Sequence, residues 1–195
     1  MSESTDGRER RRAGSGTPVS DESVSLVDRE GVVTGSAPRP VVRRDNLRHA
    51  ATAVLVRSPS GQIYLHRRSD EKDWAPGFHD CAAGGMLKAG EDPVESAQRE
   101  LAEELGITGA VLVPVGTSLY EDDTTRCFEH CFEATWGGQV RHCDGEVVWG
   151  AWVSLGRLRE LLADPGFRFV PDTRLLLARL AGRGVHDYAT LAVEP

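Results

Sequence analysis

The segment from Gly85 to Ile107, GMLKAGEDPVESAQRELAEELGI, constrains this chain more than any other stretch. It follows the pattern G-x5-E-x7-R-E-U-x-E-E-x-G-U, where U is an aliphatic residue and x is any residue. Every fixed position is matched, namely by Gly85, Glu91, Arg99, Glu100, Leu101, Glu103, Glu104, Gly106 and Ile107. A pattern with this many fixed positions seldom arises by chance, so it indicates one particular local structure and one chemistry.

The residues at the ends of this segment predict a helix over Pro93–Leu105. Asp92 is a good N-cap, proline suits the first helical position, and Glu95 completes a capping box. Gly106 supplies the stop at the C-terminal end. Apolar residues recur at helical spacing and predict one buried stripe, made of Val94, Ala97, Leu101 and Leu105.

A second face of this predicted helix is crowded with carboxylates. Glu100, Glu103 and Glu104 stand at positions i, i+3 and i+4, where like charges destabilise a helix. Arg99 offsets part of this repulsion, and a divalent cation would offset the rest. Hard oxygen ligands suit Mg²⁺, with Mn²⁺ as a substitute. The alternative is an ordinary solvated acidic face, which the glycine-rich approach and Arg99 make the weaker interpretation.

The loop before the helix is the second informative segment. Trp74–Gly77 marks a turn, and the chain then leads through Gly84 and Gly85 towards the helix. Two adjacent glycines let the backbone approach a ligand closely, although a simple tight turn would also use them.

The complete pattern resembles the Nudix box, so the chain is similar to Nudix hydrolases, a family that mostly cleaves a diphosphate linked to another group X. The resemblance implies an α/β protein with the Nudix fold, an α/β/α sandwich with a central mixed sheet. It implies that Glu91 braces the loop against the helix. It implies a Mg²⁺ site formed by Glu100, Glu103, Glu104 and the carbonyl of Gly84, and catalytic roles for Glu103, Glu100, Arg99 and Glu146. Glu103 is either a metal ligand or the general base, and Glu146 is either a base from outside the box or a surface residue.

Further segments resemble the isopentenyl-diphosphate isomerase-like branch of the family and YfcD-type hydrolases in particular. These segments are Asn46–Ala50, Gly61–Arg68, Pro76-Gly77 and Phe169–Asp172. The isomerase places a cysteine where this chain has Gly84 and a metal histidine where it has Met86, and Cys81 lies three residues too early. The isomerase's acidic pair corresponds to Thr125–Cys127, which offers no carboxylate. We therefore expect a hydrolase, with the isomerase and a non-catalytic metabolite sensor as alternatives.

The remaining patterns predict a frame of strands and helices around the box. Predicted hairpins are Ser23–Asp28 with Val32–Thr34 and Ala51–Arg57 with Ile63–Arg67; later strands are Ala110–Tyr120, Thr125–Trp136 and Val147–Val153. Ser154 is expected to cap a helix through Leu162, and Asp172 one that reaches Leu180. Residues 1–21 read as a disordered tail, and 22–195 as the domain, with its core at about 48–182.

Composition limits the partners of this chain. A net charge of −7 argues against nucleic acid, no apolar run reaches membrane-spanning length, and no secretory signal is present. The four cysteines match no common zinc spacing and indicate free thiols in a reduced cytoplasm. The oligomeric state is left open, with a homodimer among the alternatives.

The substrate is a small diphosphate whose group X the sequence does not identify. A nucleoside diphosphate derivative is the default interpretation, and an isoprenoid diphosphate is the alternative. Gly85 and one of the pair Arg67 and Arg68 are expected to bind it, because adjacent strand residues face opposite ways. Trp74, Phe78 and Tyr120 either stack on X or belong to the core.

Overall fold

A nine-stranded mixed sheet with helices on both faces forms the frame of the computed structural model, which describes residues 22–192. The strands are β1 (Ser23–Val27), β2 (Val33–Pro38), β3 (Arg48–Arg57), β4 (Ile63–Arg68), β5 (His79–Asp80), β6 (Ala82–Ala83), β7 (Leu112–Glu121), β8 (Arg126–Thr135) and β9 (Val147–Val153). The helices are α1 (Arg39–Arg44), α2 (Pro93–Leu105), α3 (Leu155–Ala163) and α4 (Pro171–Gly182), followed by a 3-10 helix at His186–Leu191.

Strand β3 lies at the centre of this sheet and is buried along almost its whole length. It pairs in parallel with β8 over ten residue pairs and antiparallel with β1, β4 and β6. A strand buried on both faces is expected to read as a nearly continuous apolar run, as β3 does.

Alternate residues of β3 face two separate cores. Ala53 and Leu55 pack with the apolar side chains of α3 and α4, and Val54 and Val56 pack with those of α2. The box helix therefore covers one face of the sheet, and the two C-terminal helices cover the other. This arrangement confirms the predicted α/β/α sandwich with a central mixed sheet.

The predicted cap residues at the two ends of α2, Asp92 and Gly106, are confirmed. Asp92 accepts hydrogen bonds from the backbone N–H groups of Val94 and Glu95, and Gly106 adopts the left-handed conformation at φ 64°. The predicted buried stripe is confirmed at Ala97, Leu101 and Leu105 but is wrong at Val94, which is 42% exposed.

Other predicted elements need correction. Strands β3 and β4 share only the register pair Arg57 and Ile63, and β4 instead pairs with β9 over six residue pairs. Ser154 caps α3 as predicted, but Asp172 does not cap α4, because Val170 holds that position and Asp172 is the second helical residue. Helix α1 and the 3-10 helix lacked capping signals and were not predicted.

The described range does not cover the N-terminal tail, but it does cover every predicted helix and strand. The proposed tail 1–21 lies outside the described residues, so its disorder stays a prediction. Between residues 22 and 192, the helices are all too short or too polar to cross a membrane.

Candidate functional site

The acidic face of α2 is held together by Arg99. Its guanidinium lies 2.7 Å from Glu100 and 3.0 Å from Glu103, and it pairs with Glu91 at 2.8 and 3.1 Å. Glu91 also accepts a hydrogen bond from the backbone N–H of Lys88 at 2.9 Å. One arginine thus joins the loop before the helix to two carboxylates of the helix, and Glu91 has the bracing position predicted for it.

The two glycines of the loop lie directly against this face. The N–H of Gly84 donates to Glu104 at 3.3 Å, and the carbonyl of Gly85 accepts from the N–H of Thr52 at 2.9 Å. A Cβ on Gly84 would lie 1.9 Å from the carbonyl oxygen of Thr52, and a Cβ on Gly85 would lie 2.5 Å from Oε1 of Glu100. Gly84 therefore requires glycine, because the obstacle is the backbone of β3, whereas the obstacle at Gly85 is the movable end of the Glu100 side chain.

Lys72 is a residue of this cluster that sequence reasoning missed. Its ammonium group lies 3.0 Å from Oε1 of Glu104 and also contacts Oε2 of Glu146, and its side chain is 9% exposed. The available signal was that one of only two lysines precedes the glycine loop. The structure places Glu146 against Lys72 on the charged side of the cluster, and its role as a base stays a prediction.

Burial changes the acidity of Glu100 within the cluster. Glu104 is 1% exposed and Glu100 9%, whereas Glu103 faces solvent. Burial first, and the neighbouring charge of Glu104 second, raise the pKa of Glu100 to about 7. Glu100 therefore holds its proton more tightly than an ordinary carboxyl group does, and a cation bound nearby would favour its ionised form.

A charged cleft opens above the acidic face. It is lined by the cations Arg39, Arg43, Arg68, Lys72, Lys88 and Arg99 and by the acids Glu22, Glu100, Glu103, Asp144 and Glu146, with Gly84, Gly85 and Met86 as its floor. Arginine and lysine suit phosphate oxygens, and carboxylates suit divalent cations. The cleft can therefore take a metal ion and a diphosphate side by side.

The two predicted phosphate-binding arginines are separated by the structure. Arg68 is buried, lines the charged cleft, and donates to the carbonyl oxygen of Trp74 at 3.1 Å. Arg67 pairs with Asp70 at 2.7 Å and does not line the cleft. The two arginines thus face different surroundings, and binding of the substrate by Arg68 stays a prediction.

An inner cavity adjoins the charged cleft and shares five lining residues with it. These are Arg43, Arg68, Gly84, Gly85 and Met86. The residues that line it but not the charged cleft include Thr52, Trp74, Thr125, Cys127, Glu129 and Asp172. Sequence reasoning found no carboxylate in the Thr125–Cys127 region, but Glu129 follows two residues later on the same face of β8 and lies against the inner cavity.

The cysteines are free thiols, as predicted, and three of the four are buried. Cys81 is 1% exposed, packs in the core with α3 and α4, and does not line the inner cavity. Burial raises the pKa of its thiol well above the usual value, which disfavours the nucleophilic thiolate. Cys127 lies near Glu129 and Asp172, with one ligand atom of each within 4.8 Å of the others.

Comparison with known proteins assigns the family. Residues 47–173 match the NUDIX domain. The chain is 41% identical to the uncharacterised Nudix hydrolase orf19 of Rhodococcus erythropolis, an alignment that covers 81% of this chain and 91% of the relative. It is 36% identical to the uncharacterised Nudix hydrolase YfcD of Escherichia coli K12, over 88% of this chain and 93% of the relative.

Solved structures agree on the fold. DR0079 from Deinococcus radiodurans superimposes with a TM-score of 0.68 at 24% identity, over 81% of this chain and 98% of that one. The NUDIX domain of Shewanella oneidensis NrtR, solved with ADP ribose, gives a TM-score of 0.53 at 14% identity, over 70% of this chain and 88% of that one. The chain therefore belongs to the Nudix hydrolase family, and it is a hydrolase that acts on diphosphate bonds.

Proposed function

We propose that this chain is a Mg²⁺-dependent hydrolase that cleaves the diphosphate bond of a nucleoside diphosphate derivative or of another small diphosphate linked to a group X. The observation that carries the proposal is the charged cleft, which is lined by the carboxylate of Glu100, by Arg68 and by Gly84 and Gly85. The buried carboxylate of Glu104 adjoins it through the hydrogen bond from the N–H of Gly84. Cation-binding and phosphate-binding groups meet there within one cleft.

The residues of the cleft fit a divalent cation. The ammonium group of Lys72 already lies against Glu104 and Glu146, so the cluster accommodates positive charge at this point. Glu100, Glu103, Glu104 and the carbonyl of Gly84 would hold Mg²⁺, or Mn²⁺ in its place. When bound, such an ion neutralises charge on the phosphate oxygens and acidifies the attacking water.

The chain's own groups would perform the remaining tasks. Arg68 would bind the diphosphate, and Gly85 would let it approach the helix closely. Arg99 would orient Glu100 and Glu103 through its hydrogen bonds. Two partly exposed carboxylates, Glu103 and Glu146, are the candidates for the base that would take the proton from water, and separate glutamine substitutions would tell which one does.

A Mg²⁺-dependent turnover screen tests this function, with Glu104→Gln as the control variant. The panel spans nucleoside triphosphates, dinucleotides, nucleotide sugars, ADP ribose and isopentenyl diphosphate. We expect wild type to cleave at least one member. We expect the variant to hydrolyse the substrate at least about 100-fold more slowly, because a neutral amide replaces a charged carboxylate ligand of the metal ion. Its circular dichroism spectrum should stay that of wild type.

The other outcomes separate the alternatives. Near-normal turnover by Glu104→Gln would contradict the assignment of the metal site. An allylic isomer formed without phosphate release would indicate an isomerase of the branch that the sequence resembles. Tight binding with no product, unaffected by Glu100→Gln, would indicate a metabolite sensor.

A further inference from the structure

A thiol and two carboxyl groups that the proposed reaction does not use line the inner cavity together. Cys127 and Glu129 come from β8, and Asp172 comes from the first turn of α4. Their exposed fractions are 3%, 4% and 9%, and one ligand atom of each lies within 4.8 Å of the other two. Three side chains of types that commonly bind metal ions therefore converge in a buried space, and none of them lines the charged cleft.

The fold itself brings these side chains together. Cys127 and Glu129 stand two positions apart on a strand, so both side chains point to the same face of the sheet. Helix α4 packs on that face, where its Leu176 shares a core with Cys131, the next residue of the same row. Asp172 lies at the start of the same helix and is thereby placed next to Glu129.

The carboxyl groups of this cluster lack the partners that burial normally requires. Oε2 of Glu129 has no hydrogen-bond partner among residues 22–192, and within that range neither Glu129 nor Asp172 has a lysine or arginine at ion-pair distance. The arginines of the cavity wall, Arg43 and Arg68, pair with other aspartates at 3.3 and 3.9 Å respectively. Buried carboxyl groups are normally paired or coordinate a metal ion. The unpaired oxygen in this cluster therefore points to a bound cation.

The space and the spacing suit a single ion. The cavity encloses about 70 Å³, whereas one water molecule needs roughly 10–15 Å³, so an ion fits together with one or two solvent molecules. A zinc ion binds sulfur at about 2.3 Å and carboxylate oxygen at about 2.0–2.2 Å, so these two ligands lie at most about 4.5 Å apart. Ligand atoms that already lie within 4.8 Å of one another need only small side-chain rotations to reach one ion.

We propose that Cys127, Glu129 and Asp172 form a zinc site, separate from the Mg²⁺ site of the charged cleft. The donor set distinguishes the two ions, because a thiolate favours zinc, whereas Mg²⁺ takes oxygen ligands. Three protein ligands leave a fourth position of the ion open to the cavity. As the bonds form, the thiol and any protonated carboxyl group release their protons to solvent. The bound ion ties β8 to the start of α4 and neutralises the buried carboxylates.

The spacing of the cysteines could not indicate this site. Two of its three donors are carboxylates, and Asp172 reaches it from a helix far along the chain. The competing arrangement is a proton shared by the two carboxyl groups, because burial first, and neighbouring carboxylates second, raise the pKa of both Glu129 and Asp172. Metal binding and proton sharing predict different metal contents for the purified protein.

Metal binding by the full chain tests the site without any measure of hydrolysis. Protein stripped with a chelator is returned to excess Mg²⁺, which competes for sites made of oxygen ligands alone, and is titrated with Zn²⁺ against a chromophoric chelator. Co²⁺ is titrated in parallel, because a cobalt–thiolate bond gives a charge-transfer absorption band that carboxylate ligands do not give. A failure of the hydrolase assignment would leave both results readable.

We expect wild type to bind one zinc ion per chain in excess Mg²⁺ and to give the cobalt–thiolate band. Cys127→Ala should abolish the band, and Cys127→Ala and Glu129→Gln should each weaken zinc binding at least about tenfold. Cys131→Ala is the matched control, because Cys131 is a buried thiol on the same face of β8 that does not line the cavity. Glu104→Gln is the control for the Mg²⁺ site. Both control variants should bind zinc and cobalt as wild type does.

Three outcomes would overturn the inference. Wild type that binds no zinc in excess Mg²⁺ would mean that the two carboxyl groups share a proton instead. Bound zinc without a cobalt–thiolate band would place the ion elsewhere. A band that survives in folded Cys127→Ala, or that is lost in folded Cys131→Ala, would assign the thiolate to another cysteine. The first two outcomes are read from wild type alone, so they stand even where a variant does not fold.

Discussion

Alanine substitutions at the two adjacent loop glycines should act on different properties, on stability at Gly84 and on turnover at Gly85. A Cβ at Gly84 would lie 1.9 Å from the carbonyl oxygen of Thr52, whereas ordinary contacts begin at 3.4 Å. The obstacle is backbone of the central strand β3, so the loop or the strand must move by well over an ångström.

The cost of that movement follows from the contacts it breaks. The hydrogen bond from Thr52 N–H to Gly85 C=O contributes about 1 kcal/mol, and overpacking costs about 1–3 kcal/mol. We therefore expect Gly84→Ala to lower the free energy of unfolding by about 2–4 kcal/mol. Urea denaturation followed by circular dichroism measures this loss.

At Gly85 the obstacle is the carboxylate end of Glu100, 2.5 Å from the added Cβ, and a side-chain end can rotate away. Stability should fall by about 1 kcal/mol or less, but a displacement of the carboxylate by about 1 Å should slow turnover about 100-fold. Gly35→Ala is the control, because an added Cβ there meets nothing within 4 Å. Wild-type stability for Gly84→Ala, or a wild-type rate for Gly85→Ala, would refute the reasoning.

Three further predictions concern buried groups. Lys72→Met should lower the free energy of unfolding by about 3 kcal/mol in the presence of a chelator, because it leaves the buried carboxylate of Glu104 without a positive partner. Added Mg²⁺ should restore most of this loss. Equal urea midpoints for the variant and wild type in chelator would contradict the prediction. Cys81→Ala should turn over at nearly the wild-type rate, because its thiol is buried in the core, and lost activity would reopen a cysteine mechanism. Asp172 has a pKa of about 7 in the folded protein and near 4 in the unfolded chain. Between about pH 4 and pH 7 the native state therefore binds one more proton than the unfolded state, and wild type loses stability as the pH rises through this range. Relative to wild type, Asp172→Asn should gain on the order of 4 kcal/mol across this range in urea denaturation, and a pH-independent difference would contradict the shift.

The box helix could be predicted from sequence because its determinants are local. Asp92 and Gly106 cap the helix through hydrogen bonds to residues within a few positions. The crowding of Glu100, Glu103 and Glu104 on one face follows from helical periodicity alone. Helical periodicity did not predict the exposure of Val94. This residue lies in the first turn of α2, outside the apolar cluster that the helix forms with the sheet.

The residues that sequence reasoning missed depend on contacts between distant segments. Lys72 reaches Glu104 and Glu146 only because the loop after β4 folds back over the box helix. Asp172 has the sequence signature of a helix cap, but its carboxyl group lies near Glu129 of β8. Pairings of this kind arise from topology, which periodicity and capping signals do not encode.

The parallel pairing of β3 with β8 has a consequence for how the chain folds. Partners such as Arg48 and Arg126 are far apart in sequence, and the whole box segment lies between them. Contacts of such separation form slowly, because the entropy of closing a long loop is lost before the contacts stabilise it. During synthesis, the box segment therefore leaves the ribosome before the strand that completes the central sheet. We expect the pairing of β3 with β8 to limit the refolding rate, and the charged cleft and the inner cavity to form only after it.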